Sequence, residues 1–123
     1  MKQNRILLVD DDEQVLSITK LFLEYEGYRN LYVIQDSRLV IPFLKEKEVS
    51  MIVMDLMMPH IMGNELLSTL RNEFPKIPVI IMTAIGDMEI AEECKKLGAL
   101  DYLVKPVDPA TLLSAIEKTM KKY

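Results

Sequence analysis

Residues 6–27 read ILLVDDDEQVLSITKLFLEYEG, and the fold follows from how that stretch divides. Its first segment, 6–9, is a short, continuously apolar run of strand length, the pattern of a strand buried on both faces. Three consecutive acids, Asp10, Asp11 and Asp12, end it. Residues 13–26 then make a segment of helical length, and Gly27 closes it where helices favour glycine. Further along the chain the same unit recurs. Apolar runs rich in β-branched residues fall at 31–34, 51–54, 79–82 and 102–104, and helical segments at 37–47, 64–73, 87–97 and 109–121. Asp36 and Asp108 open two of these helices, Pro75 stops a third and Gly98 closes a fourth. Apolar strands alternating with helices imply a parallel sheet covered on both sides, because each right-handed crossover lays its helix over the sheet. The expected architecture is α/β: a (βα)5, doubly wound, parallel five-stranded sheet. Pro42 is the local conflict, since it removes a backbone donor inside the second helix and should kink or shorten it.

With 123 residues, 14.2 kDa and 50% hydrophobic content, the chain suits one buried core and is too short for two ordinary domains. Residues 1–123 are expected to form a single domain, the last helix running into Lys121, Lys122 and Tyr123, with no output domain in the chain. A net charge of −4 argues against nucleic acid or an anionic membrane as partner, because both select clusters of Lys and Arg. The expected partner is protein. No charged and apolar leader opens the chain and no apolar run approaches about 18 residues, so the expected compartment is cytoplasmic. The single cysteine, Cys94, cannot close an intramolecular disulfide and lies at helical spacing with Ala91 and Leu97, as a packed thiol would.

In open α/β sheets ligands bind beyond the carboxyl ends of the strands, where the strand order reverses. There the first strand ends in Asp10, Asp11 and Asp12, the third in Asp55, the fourth in Thr83 and Ala84, and the fifth in Lys105 before Pro106. Each residue alone has an ordinary structural use: Asp11 or Asp12 as a helix cap, Thr83 as a loop cap, Lys105 as a solvated lysine. Together they imply chemistry. Carboxylates brought within a few ångströms of each other repel by about a kcal/mol or more at a partly screened site, so something cationic must sit among them. Lys105 supplies one charge, and hard carboxylate oxygens beside open water positions suit Mg²⁺. An acidic rim rejects phosphate unless metal and lysine are both present, so the cluster reads as a metal-assisted phosphoryl site.

The runs ILLVDDD, MIVMDLMMPHIMGNEL, VIIMTA and GALDYLVKP resemble, in order and spacing, the receiver domains of bacterial two-component response regulators, over essentially the whole chain. The resemblance implies a flavodoxin-like sheet of order 2-1-3-4-5. It implies that Asp55 is the phospho-accepting nucleophile, and that Asp11, Asp55 and the Met57 backbone carbonyl hold Mg²⁺ (or Mn²⁺), with Asp10 holding a metal-bound water. Lys105, the Thr83 hydroxyl and the Ala84 backbone N–H would meet the phosphoryl oxygens, and the Lys105–Pro106 bond would be cis. It further implies phosphorelay from a sensor histidine kinase or phosphotransfer protein, and signalling to a downstream protein or a linked output domain. Thr83 and Tyr102 would act as the switch, through a face made by the fourth helix, fifth strand and fifth helix. Such a domain catalyses its own phosphorylation and dephosphorylation without turning over a separate substrate.

Departures from the family pattern carry further expectations. Met62 stands before Gly63 where an Asp is frequent, giving a less polar loop. Met57 and Ile85 are apolar at positions that modulate attacking water, so self-dephosphorylation is expected to be slow. The fifth helix has no Arg to pair with Asp101, so a monomer is expected. His60 follows Pro59 with no second ligand nearby and reads as a solvated loop residue. The methionines at 51, 54, 57, 58 and 62 read as strand core followed by loop. Two rivals share some of these residues. A haloacid-dehalogenase-type phosphatase would use Asp10 and Asp12, but Gln14 is out of pattern, no acid pair follows Lys105 and a cap domain does not fit. A degenerate receiver acting only as an interaction module would have lost residues that are present here.

Overall fold

The computed structural model describes residues 2–122; Tyr123, at the end of the expected tail, lies outside the described residues. Five parallel strands, β1 (Lys2–Val9), β2 (Tyr28–Ile34), β3 (Met51–Met54), β4 (Val79–Thr83) and β5 (Asp101–Val104), form one sheet of order β2-β1-β3-β4-β5. They alternate with α1 (Glu13–Tyr25), α2 (Val40–Glu46), α3 (Gly63–Glu73), α4 (Met88–Lys96) and α5 (Pro109–Lys122). This is the doubly wound (βα)5 fold expected from the sequence, in the strand order that the resemblance implied. β1 and β2 begin earlier than their apolar runs because they pair with each other from Lys2 and Tyr28 onward.

The central strands are apolar throughout because both of their faces are covered. Ile6, Leu8, Met51, Val53, Ile80 and Met82 pack on one side with Leu16 and Leu23 of α1 and Leu112, Ala115 and Ile116 of α5. Leu7, Val9, Ile52, Met54, Val79 and Ile81 face the other side, against Val40 and Leu44 of α2, Leu66, Leu67 and Leu70 of α3, and Cys94 of α4. Each such aliphatic side chain taken fully from water stabilises the fold by roughly 1.5–3 kcal/mol. Cys94 is buried and free, and burial pushes its thiol pKa up, consistent with packing rather than reactivity.

The second helix is irregular, as Pro42 predicts, but it shortens rather than kinks. A 3-10 turn over Ser37–Leu39 precedes α2, and Pro42 falls in the first turn of α2, where a backbone N–H has no intrahelical acceptor to lose. The helix ends are set locally. Asp12 caps α1 by accepting from Gln14 and Val15 N–H, Asp87 caps α4 in the same way, and Gly27 and Gly98 leave α1 and α4 at φ 98° and 105°.

Candidate functional site

Because all five strands run the same way, their carboxyl ends share one rim, and the strand order reverses between β1 and β3. The residues that follow those two strands are Asp10 and Asp55. They are 2% and 6% exposed, and with the exposed Asp11 they bring carboxylate oxygens within 4.8 Å of one another. Lys105, just past β5, reaches across to both: its Nζ donates to Asp10 Oδ2 at 2.6 Å and to Asp55 Oδ2 at 2.8 Å. The Asp12 N–H donates to Asp10 Oδ1 and the Met57 N–H to Asp55 Oδ1, at 2.9 and 3.0 Å. Three carboxylates against one ammonium leave two formal negative charges uncompensated, in an open cleft whose oxygens could hold a metal ion.

The electrostatics differ between the two buried acids. Burial pushes the Asp10 carboxyl above its ordinary pKa, and the hydrogen bond from Lys105 only partly opposes that. Burial acts on Asp55 too, yet Lys105, the Thr83 hydroxyl and the Met57 N–H together hold its carboxyl below the ordinary value. Burial alone would lower the Lys105 pKa, but the hydrogen bonds to Asp10 and Asp55 raise it. Asp55 is thus kept ionised at neutral pH.

The remaining residues singled out from the sequence fall around this cluster. Thr83, fully buried, closes β4, and Ala84 follows it at the rim. The Lys105 backbone N–H donates to the Thr83 carbonyl at 2.7 Å, and the Lys105–Pro106 peptide bond is cis. Met57 borders the cleft with Met58, Pro59 and Met62. Tyr102 packs its ring against the core while its hydroxyl donates to the Ile85 carbonyl at 2.6 Å. Asp12, by contrast, turns its carboxylate to the start of α1, so the acid pair that a dehalogenase-type site needs from Asp10 and Asp12 is not assembled.

Two residues that shape the site escaped the sequence reading, and a third was read without its backbone conformation. Gly63 opens α3 so close to the previous strand end that an added Cβ would lie 2.4 Å from Leu56 Cα and 2.7 Å from the Asp55 carbonyl oxygen. Its position just before the third helical segment was the available signal. Ser37, 1% exposed, hydrogen-bonds to Pro59 and Ile61, distant in sequence, and no local pattern announces that. His60 is a loop residue, as expected, but it takes the left-handed conformation at φ 73°.

Fold and site together define a flavodoxin-like α/β domain with a lysine-bridged acidic cleft at its topological switch point. The chain belongs to the response regulator receiver domain family of two-component systems, whose model matches residues 6–117. Response regulator protein FleR of Pseudomonas aeruginosa is 33% identical over 117 residues, covering 93% of this chain and 24% of that protein. Transcriptional regulatory protein YvrH of Bacillus subtilis is 33% identical over 122 residues, covering 99% of this chain and 51% of YvrH. The chain therefore spans between about a quarter and a half of these relatives. Among solved structures, a CheY-like receiver domain protein from Methanospirillum hungatei matches with a TM-score of 0.92 at 29% identity, covering 98% of this chain and 96% of that one. Chemotaxis response regulator CheY4 of Vibrio cholerae matches at 0.87 and 26%, covering 96% and 99%. Among the described residues no helix is long and apolar enough to cross a membrane.

Proposed function

We propose that this domain accepts a phosphoryl group on Asp55 from the phosphohistidine of a sensor kinase or phosphotransfer protein, in a divalent-metal-dependent reaction. The observation that carries the reading is the convergence of Asp10, Asp11 and Asp55 within 4.8 Å, with Lys105 bridging two of them. The donor set is all hard oxygen, which fits Mg²⁺ or Mn²⁺. Asp11, Asp55 and the Met57 carbonyl would hold the ion, with Asp10 acting through water. Bound there, it would supply Lewis-acid neutralisation of phosphoryl oxygens.

The side chains do the rest. An ionised Asp55 oxygen forms the new P–O bond as the N–P bond of the donor imidazole breaks, and the donor nitrogen keeps the electron pair. Lys105 and the Thr83 hydroxyl, with the Ala84 N–H, stabilise the charge spread over the equatorial oxygens. The product is an acyl phosphate on the protein itself, so the domain is both substrate and catalyst and turns over no separate substrate.

Output would follow from the new charge at Asp55. Drawing Thr83 toward phosphate disturbs the β4–α4 loop to which the Tyr102 hydroxyl is bonded at Ile85, and so shifts the α4-β5-α5 face between two states. The listener would be a downstream protein or a linked output domain, as the greater length of the transcriptional regulators among its relatives suggests. The apolar Met57 and Ile85 give no group to orient a water on phosphorus, which supports slow self-dephosphorylation. The decisive test is labelling by a small phosphodonor with Mg²⁺: wild type labels and Asp55→Ala does not. Labelling of Asp55→Ala at the wild-type level would overturn the assignment, and an unlabelled wild type would leave the interaction-module reading.

A further inference from the structure

The loop that carries Met57 is fastened from outside the acidic cluster, by a residue more than twenty positions away. Ser37 begins the 3-10 turn ahead of α2 and is 1% exposed. Its hydroxyl donates to the Pro59 carbonyl at 2.8 Å and accepts from the Ile61 N–H at 3.1 Å. One hydroxyl thus satisfies a donor and an acceptor on either side of His60, the residue at φ 73°. A left-handed histidine is disfavoured by contact between its Cβ and the backbone, and the tie from Ser37 reinforces the Ile61 N–H to Pro59 carbonyl bond at 2.9 Å that closes the turn. On the other flank, the Gly63 N–H donates to the Leu56 carbonyl at 2.9 Å. Between these two ties lies the segment whose Met57 N–H meets Asp55 Oδ1.

We infer that Ser37 is a positioning residue for the divalent cation: by pinning Pro59 and Ile61 it holds the Met57 backbone in place beside Asp11 and Asp55. This rests on the metal-assisted reading above. Ser37 touches none of the carboxylates, so its effect passes entirely through the loop. Removing the hydroxyl deletes both bonds from outside and leaves the turn held by its own Ile61 N–H to Pro59 carbonyl bond at 2.9 Å, so preorganisation of one backbone ligand is lost.

Amide hydrogen exchange and Mg²⁺ titration by NMR, on metal-free protein, test this together. In the wild type the Ile61 amide should be protected before any metal is added; exchange at the rate of an open loop overturns the inference. Ser37→Ala should speed Ile61 exchange and weaken Mg²⁺ binding by about tenfold, the size of two lost hydrogen bonds only partly felt at the ion. Leu44→Ala, which cuts a cavity beside α2 but leaves the hydroxyl, should lower the melting temperature at least as much while leaving Mg²⁺ affinity within about twofold. An equal loss of affinity in both variants would reduce Ser37 to a general stabiliser and overturn the positioning role. Asp11→Asn separates the two levels. If it abolishes binding while Ser37→Ala leaves affinity unchanged, only the tether falls; if it binds Mg²⁺ as the wild type does, the metal reading falls and the tether with it.

Discussion

Gly63→Ala offers a sharp check on the geometry behind Asp55. The added methyl would lie 2.4 Å from Leu56 Cα, 2.7 Å from the Asp55 carbonyl oxygen and 3.0 Å from Leu56 Cδ2. Carbon atoms in contact prefer about 3.5–4.0 Å, so roughly an ångström must be recovered. The side chain of Leu56 can turn aside, but the two backbone atoms cannot move freely. The Asp55 N–H is bonded to Val9 at 3.1 Å and the Leu56 carbonyl to Gly63 itself at 2.9 Å. Overpacking of this kind costs about 1–3 kcal/mol, and the helix preference of alanine recovers less than about 1 kcal/mol at a first-turn position. A net loss near 2 kcal/mol lowers the melting temperature of a domain this size by roughly 6–12 °C. Gly86→Ala is the control, because there a Cβ meets only Val104 Cγ1, at 3.7 Å. That variant should be neutral or more stable by up to about 1 kcal/mol, through a less flexible unfolded chain. Thermal melts followed by circular dichroism read both. A Gly63→Ala protein that melts with the wild type would refute the close approach of α3 to the strand end.

The other expectations concern charge and the switch. Lys105→Met leaves Asp10 and Asp55 without their cation. Because Lys105 is partly solvated, the loss at neutral pH in metal-free buffer should be about 1–3 kcal/mol, below the full value for a buried pair. Urea titrations should show the deficit shrinking with Mg²⁺ and as falling pH protonates the carboxyls; no deficit in chelator would disprove the bridge. The Asp36 carboxyl, hydrogen-bonded by Arg38, is held down to about 2. With a folded pKa below the unfolded value of about 4, its contribution is intact above pH 4 and is lost as pH falls through about 2. Carbon-detected NMR should find that midpoint, and Arg38→Ala should return it toward the ordinary range. Tyr102→Phe deletes the bond to the Ile85 carbonyl and should cost about 1 kcal/mol. It should also leave phosphodonor labelling intact while altering partner binding, and loss of both would argue against a switch role.

The central strands were legible in the sequence because burial on both faces leaves only apolar residues there, and β3 coincides with its apolar run. The edges were less so. β2 and β5 are half-covered, and hydrogen bonding to a neighbour carries a strand beyond the residues that hydrophobicity marks. Asp10, Asp11, Asp55, Thr83 and Lys105 could be found because strand ends are local features of the chain. Ser37 and Gly63 could not be assigned their roles that way, since each depends on a distance between segments that no periodicity encodes. Pro42 shows a milder failure: its chemistry was read correctly, but whether it breaks or begins a helix depends on where the turn before it ends.

Strand register is what makes the arrangement of the cleft dependable. Val9 pairs with Met54 across β1 and β3, so the next residues, Asp10 and Asp55, must stand side by side, one interstrand spacing of about 4.8 Å apart. Thr83 pairs with Val104, which fixes Lys105 one step beyond and within reach of both acids. A slip of one residue in either pairing would also turn a whole strand's side chains to the wrong face and expose part of two packed layers. Two uncompensated charges cannot assemble themselves, since their repulsion favours separation. The apolar core holds them together, and the energy that forbids a register slip is therefore the same energy that keeps the carboxylates clustered around Lys105.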